Sequence, residues 1–149
     1  MKLGFASDHR GYQLKEELIK YYNEKFEIVD CGTNSDKSCD YPVYAYKLGK
    51  LIVDKKVDFG IAICGSGVGI SIACNKIKGV YCAKVSNCEE AIHTRLDNNT
   101  NCVAFSEKTT IGEAISIVDA FIKTQYSNLD KHNRRNKLVK DIENGVYNG

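Results

Sequence analysis

Short, almost continuously apolar runs alternate along this chain with longer stretches in which apolar residues recur at helical spacing. The runs Leu3–Ala6, Glu27–Cys31, Asp58–Cys64, Val80–Val85 and Cys102–Phe105 are rich in Ile, Val and Phe. Runs of this kind predict strands buried on both faces. Between them the periodicity predicts helices near Gly11–Tyr22, Val43–Lys55, Gly69–Lys76, Cys88–Leu96 and Ile111–Gln125. The last is the clearest. Ile111, Ala114, Ile115, Val118, Phe121 and Ile122 return at three- and four-residue steps and make one apolar stripe, a face for core packing.

Strand–helix alternation repeated five times predicts a parallel sheet with helices on both faces. The expected fold is α/β: a single-domain, three-layer αβα sandwich over residues 1–149 around a five-stranded, Rossmann-like sheet. Right-handed crossovers leave two common strand orders, 3-2-1-4-5 and 2-1-3-4-5, and five strands favour the second. In that order the first and third strands are neighbours, so Ser7-Asp8-His9 is expected to face Cys64-Gly65-Ser66-Gly67 across the switch point where ligands bind. No linker, repeat or low-complexity tract interrupts the pattern.

Composition narrows the classes. No apolar run approaches the roughly 18–20 residues of a membrane span, and the N-terminal MKLGFASDHR lacks a signal-peptide core, so a cytoplasmic protein with no membrane partner is expected. A net charge of +2 does not indicate a nucleic-acid binder. Seven cysteines, an odd number with no CxxC pair, argue against a disulfide framework and for small buried hydrophobes. His9, His93 and His132 are far apart and no Cys/His ligand spacing appears, so no metal is expected. Charge is uneven, however. Lys131-His132-Asn133-Arg134-Arg135-Asn136-Lys137 is strongly basic, either a solvated helix face or a clamp for a phosphate.

The most informative segment is Ile61-Ala62-Ile63-Cys64-Gly65-Ser66-Gly67-Val68-Gly69-Ile70-Ser71, a buried strand running through a glycine-rich turn into a helix. Glycines let backbone amides approach a ligand, and a helix N-terminus adds partial positive charge. The loop is suited to a phosphate or an oxyanion, and Cys64 stands at its mouth, where that field favours thiolate. A dinucleotide fingerprint does not fit, because Ile70 holds the place of its final glycine. A nucleotide P-loop lacks its Gly-Lys-Ser/Thr ending, and a cysteine phosphatase would need arginine at position 70. A tight turn with an inert cysteine remains one reading. A thiolate base beside an amide cradle, taking a proton from a carbon next to a carbonyl, is the other.

Ala6-Ser7-Asp8-His9-Arg10-Gly11, Asp30-Cys31-Gly32-Thr33, Asp40-Tyr41-Pro42, the Cys64 loop through Ala73, Asn75-Lys76 and Asn98-Asn99-Thr100-Asn101 together resemble the ribose-5-phosphate isomerase type B family. Galactose-6-phosphate isomerase subunits share part of the pattern. The resemblance covers nearly the whole chain, in order, and the Cys-Gly-Ser-Gly-x-Gly loop is its most specific part. It implies an aldose–ketose isomerase of the pentose phosphate pathway that passes through a cis-enediolate and uses no cofactor.

The resemblance also implies roles. Cys64 matches the base, Ser66 the hydroxyl beside the reacting oxygens, and the amides of Gly65, Ser66, Gly67, Val68 and Gly69 the anion hole. Asp8 and His9 match residues that bind the sugar and its phosphate, Tyr41 a neighbour of the substrate, and Asn98 a substrate-binding asparagine. Lys108, Lys131 and Arg135 stand where the family places arginines around the phosphate; the lysines keep the charge and lose the bidentate fork. A homodimer, or a tetramer of dimers, with sites shared between subunits is implied as well. Asp8 as a helix cap, Tyr41 as packing and Asn98–Asn101 as a polar turn are the local alternatives.

One position departs from the pattern. Asp97 stands where the ribose enzymes carry a histidine that helps open the furanose ring, and the galactose enzymes also lack histidine in this region. Asp97 is expected to take over ring opening, assisted by His93 one helical turn earlier. The departure keeps a six-carbon sugar phosphate as the alternative substrate. A non-catalytic nucleotide-binding module of similar fold is the rival from another class, although only Ile111-Gly112-Glu113 is available as its late phosphate loop.

Overall fold

The computed structural model describes residues 1–149. Five parallel strands, β1 (Lys2–Ser7), β2 (Glu27–Asp30), β3 (Phe59–Cys64), β4 (Cys82–Lys84) and β5 (Cys102–Ser106), form one sheet. The helices are α1 (Tyr12–Tyr22), α2 (Tyr41–Val53), α3 (Val68–Asn75), α4 (Cys88–Asn98), α5 (Ile111–Lys123) and α6 (Asp130–Glu143). Helix α2 begins at Tyr41, ahead of the Val43 expected from periodicity, because Pro42 fits the first helical turn, where no amide donor is needed. Helix α5 starts on a reciprocal cap in which Glu113 N–H donates to Thr110 Oγ1 and Thr110 N–H donates to the Glu113 carboxylate.

The strand order is β2-β1-β3-β5-β4, so the α/β class holds and the expected order of the last two strands is corrected. The reason lies in burial. Cys102–Phe105 is fully buried and must have neighbours on both sides, whereas β4 has three residues, of which Cys82 and Ala83 are half-buried and Lys84 is exposed. A short, partly polar strand is suited to the edge.

Strand alternation then sorts side chains by size. Leu3, Phe5, Ile61, Ile63, Val103 and Phe105 face α1, α4 and α5 and pack with Leu18, Ile117, Val118 and Phe121. The opposite face carries Ala6, Ala62, Cys64, Cys102 and Ala104 under α2 and α3. Its small residues let those helices sit close: a Cβ at Gly60 would lie 2.7 Å from Ile52, and one at Gly4 would lie 2.8 Å from Leu48. Truncating a core ring such as Phe121 to Ala would cost about 3–5 kcal/mol.

Helix α6 belongs to neither layer and buries no residue. It is held by polar contacts at its middle and its C-terminal end. Asn136 Nδ2 donates to the Asp97 carbonyl (2.9 Å) and to Tyr126 Oη (3.0 Å), and Tyr81 Oη donates to Glu143 Oε2 (2.7 Å).

Candidate active site

Because all five strands are parallel, their C-terminal ends emerge at one edge. Cys64 ends β3 there, in register with Ser106 of β5, while Ser7 ends β1 beside Ile63. The thiol of Cys64 is 4% exposed, so it belongs to the wall of the site and not to open surface. Gly67 N–H donates to Cys64 Sγ at 3.2 Å, which fixes the sulfur against the turn.

The turn that makes this possible depends on Gly67, which has φ +80° and leads directly into α3. Ser66 Oγ accepts from Val68 N–H at 3.1 Å, which leaves its own hydrogen free for a substrate oxygen. Tyr41 lies against the same helix start; a Cβ at Gly69 would come within 2.7 Å of its ring. Ser106 Oγ donates to the Gly65 carbonyl at 2.7 Å and accepts from Lys108 N–H at 3.1 Å, which ties the loop to the segment bearing Lys108.

Asp8 is buried next to this loop. Its Oδ1 accepts from Arg10 N–H (3.0 Å) and Gly11 N–H (3.1 Å), closing the turn before α1 as a cap would. His9 Nδ1 accepts from Cys39 N–H at 3.2 Å; in the neutral ring the proton is then on Nε2, leaving a donor to face a ligand. Arg10, not singled out as a site residue from the sequence, lies beside Gly65 and pairs with Glu107 at 3.1 Å. These partners are about 100 positions apart, so no local pattern signals them.

The other expected site residues are elsewhere. Asp97 and Asn98 end α4, and the segment that follows feeds the start of β5, with Gly60 N–H donating to the Asn101 carbonyl at 3.0 Å. Gly60 to Cys64 is four strand steps, roughly 13 Å at about 3.3 Å each. Asp97 and Asn98 therefore belong to the opposite edge of the sheet from Cys64. Lys131 and Arg135, both exposed and one helical turn apart on α6, go with them.

The imidazole beside Asp97 is His132, with Nε2 3.3 Å from Oδ1. His93 is exposed and makes no ion pair, so the expected partner is corrected. Spacing of four along one helix pointed to His93, whereas α6, docked from 35 positions away, supplies the nearer ring. The only signal for His132 was its place in the basic segment. Between α6 and the sheet edge lies a cleft of about 770 Å³, lined by Asn75, Tyr81, Cys82, Asn98, Asn101 and Asn136 among others.

The thiol, the amide cradle and the carboxylate at one edge can bind an anionic, hydroxylated ligand and exchange a carbon-bound proton. Known proteins carry the same framework. Residues 3–139 match the Ribose/Galactose Isomerase family. Ribose-5-phosphate isomerase B of Escherichia coli is 39% identical over 144 residues, 95% of this chain and 96% of that one. The Clostridium thermocellum ribose-5-phosphate isomerase B structure superposes with a TM-score of 0.94 at 35% identity, covering 99% of this chain and 100% of the other. The Mycoplasma genitalium enzyme, solved with bound ribulose-5-phosphate, superposes with a TM-score of 0.88 at 35% identity and 96% coverage of both chains. With a sequence match over most of its length and a shared fold, this chain belongs to the ribose/galactose isomerase family.

Proposed function

We propose that this protein interconverts ribose 5-phosphate and ribulose 5-phosphate through a cis-enediolate, with Cys64 as the base. The observation that carries the reading is the Cys64 thiol at the mouth of a loop whose amides and helix start serve the same small space. The thiolate takes the proton from carbon 2 of the open-chain aldose and returns it to carbon 1, while the proton of the carbon-2 hydroxyl passes to the carbon-1 oxygen, so that carbonyl and hydroxyl exchange places. Charge that develops on the oxygens is held by the amides of Gly65–Gly69, the preorganised donors such a transition state requires. Ser66 supplies a hydroxyl to the same oxygens. Asp8, His9 and Tyr41 bind the sugar, and Lys108 adds positive charge at that edge for the phosphate. Thiol, carboxylate and amides suffice for these steps without a metal or organic cofactor.

Asp97, Asn98, Lys131 and Arg135 serve the reaction from a second copy of the chain. Two features support this reading. One is their placement at the sheet edge remote from Cys64. The other is a pair of exposed apolar patches: Val43, Tyr46, Val68 and Ile72 beside the Cys64 loop, and Leu138, Val139 and Ile142 on α6. A two-fold dimer that joins these patches would cover both and bring the basic helix of one subunit to the thiol of the other. A homodimer, alone or paired into a tetramer, is the functional unit.

The decisive assay measures purified protein and its Cys64→Ala variant against ribose 5-phosphate and galactose 6-phosphate. Turnover of ribose 5-phosphate is expected to fall at least about 10²-fold in the variant, the lower range for a general base. Full activity in a folded variant would remove Cys64 from the mechanism. Aspartate at position 97 favours the six-carbon alternative, and preferential turnover of galactose 6-phosphate would establish it.

A further inference from the structure

Three cysteines that take no part in the isomerase site converge behind it. Cys82 and Cys102 are in-register partners across β4 and β5, and Cys74 comes to them from the last turn of α3. Their sulfurs all lie within 4.8 Å of one another. None is in a disulfide; Cys74 and Cys102 are buried, whereas Cys82 is half-buried and lines the cleft under α6. The arrangement is held in place. Asn75 donates to the Cys82 carbonyl and accepts from the Cys82 N–H, both at 2.8 Å, which fastens the edge strand to the end of α3.

We propose that Cys74, Cys82 and Cys102 form a three-thiol binding site for a trivalent, thiophilic centre of the arsenite and antimonite class. The ligand set contains sulfur alone, with no carboxylate or imidazole, which selects soft centres over calcium, magnesium or manganese. Charge then selects among soft centres. Around the thiols lie Ile70, Val80, Ile77 and Ala104, an apolar setting in which a net charge is costly. Three thiolates around a monovalent ion leave two negative charges, and around a divalent ion one. A trivalent centre leaves none.

The reaction balances without electron transfer. Arsenous acid, with three hydroxyls on arsenic, loses three waters as three S–H bonds break and three As–S bonds form. Hydrogen bonds from Cys102 and then Cys82 pull the pKa of Cys74 down, whereas hydrogen bonds with Cys74 and then Cys82, together with burial, push that of Cys102 up. One sulfur is thus readied as nucleophile; the other two bring protons for two of the departing hydroxyls, and the proton that Cys74 has released to water serves the third. Cys82 gives access from the cleft. Sequence spacing hid this set, because its members are 8 and 20 positions apart and belong to three different elements.

The test is an arsenite titration of the reduced protein, followed by intact mass under native conditions and by thiolate-to-arsenic absorption. The expected product is one arsenic per chain with loss of three protons, formed equally by Cys64→Ser. Cys74→Ala and Cys82→Ser are each expected to lose the three-proton signature. Cys82→Ser, at a half-buried edge position, carries the test if the buried variant does not melt cooperatively. An unchanged adduct in folded Cys82→Ser, or no adduct in the parent protein, would overturn the site. Displacement of arsenic by equimolar zinc or cadmium would overturn the charge argument for a trivalent occupant.

Discussion

At the turn out of β3, Gly67 joins two demands that one side chain cannot meet. Its φ of +80° is strained for any residue with a Cβ, and that Cβ would lie 2.7 Å from the carbonyl carbon of Phe105 and 2.9 Å from its Cα. Those are backbone atoms of a buried central strand, so relief requires moving β5 itself. Gly67→Ala is expected to lower stability by roughly 2–5 kcal/mol, combining left-handed strain with overpacking. Turnover should fall as well, because the amide that donates to Cys64 Sγ moves with the turn. Urea unfolding and steady-state kinetics check both. Unchanged stability would mean that the turn is not built this way. The contrast with Asp97 is instructive. Gly67 could be read from its place in a glycine-rich strand-to-helix loop, but nothing near Asp97 in the sequence names His132 as its neighbour.

Among the elements, α6 is the one whose attachment matters most for chemistry. It buries no residue, yet it places His132 against Asp97 and carries Lys131 and Arg135. If the Asp97–His132 pair moves the proton between anomeric hydroxyl and ring oxygen, Asp97→Asn should cripple turnover of ribose 5-phosphate. It should spare erythrose 4-phosphate, which is too short to close the ring. His132→Gln should reproduce that split, whereas His93→Gln should leave both activities intact. Equal loss on both sugars would assign Asp97 to binding or to the proton transfer at carbon. The strands teach a related lesson. Both β4 and β5 appear in the sequence as short apolar runs, but the extent of β4 was overestimated: Val80–Val85 was expected and Cys82–Lys84 is formed. Its shortness sends it to the edge and moves β5 next to β3, and across that outer pair Cys82 is in register with Cys102.

For the whole molecule, the division of site residues between opposite sheet edges is testable by mixing. If the proposed dimer shares its sites in this way, Cys64→Ala and Asn98→Ala chains each spoil every site of their own homodimer. In a mixed dimer one site carries both defects and the other carries neither. Co-expressed and purified as hybrids, the two inactive chains are expected to recover roughly half of the parent activity per dimer, one intact site of two, following the symmetry of a closed two-fold assembly. No recovery in a hybrid verified by light scattering would place the complete site within one chain.

The sequence by itself determined the alternation of elements, the α/β class, the Cys64 loop and the family pattern. Each of these is local: apolar runs, helical stripes and glycine spacing act over a few residues of continuous chain. Tertiary structure decided what distant segments do to one another. Burial on both faces put β5 inside and β4 at the edge; docking of α6 chose His132 over His93; and parallel strands sent Cys64 and Asp97 to opposite edges. The same packing gathered Cys74, Cys82 and Cys102 from three elements. Such outcomes depend on which surfaces must be covered once every element has formed, and that competition is settled only in three dimensions.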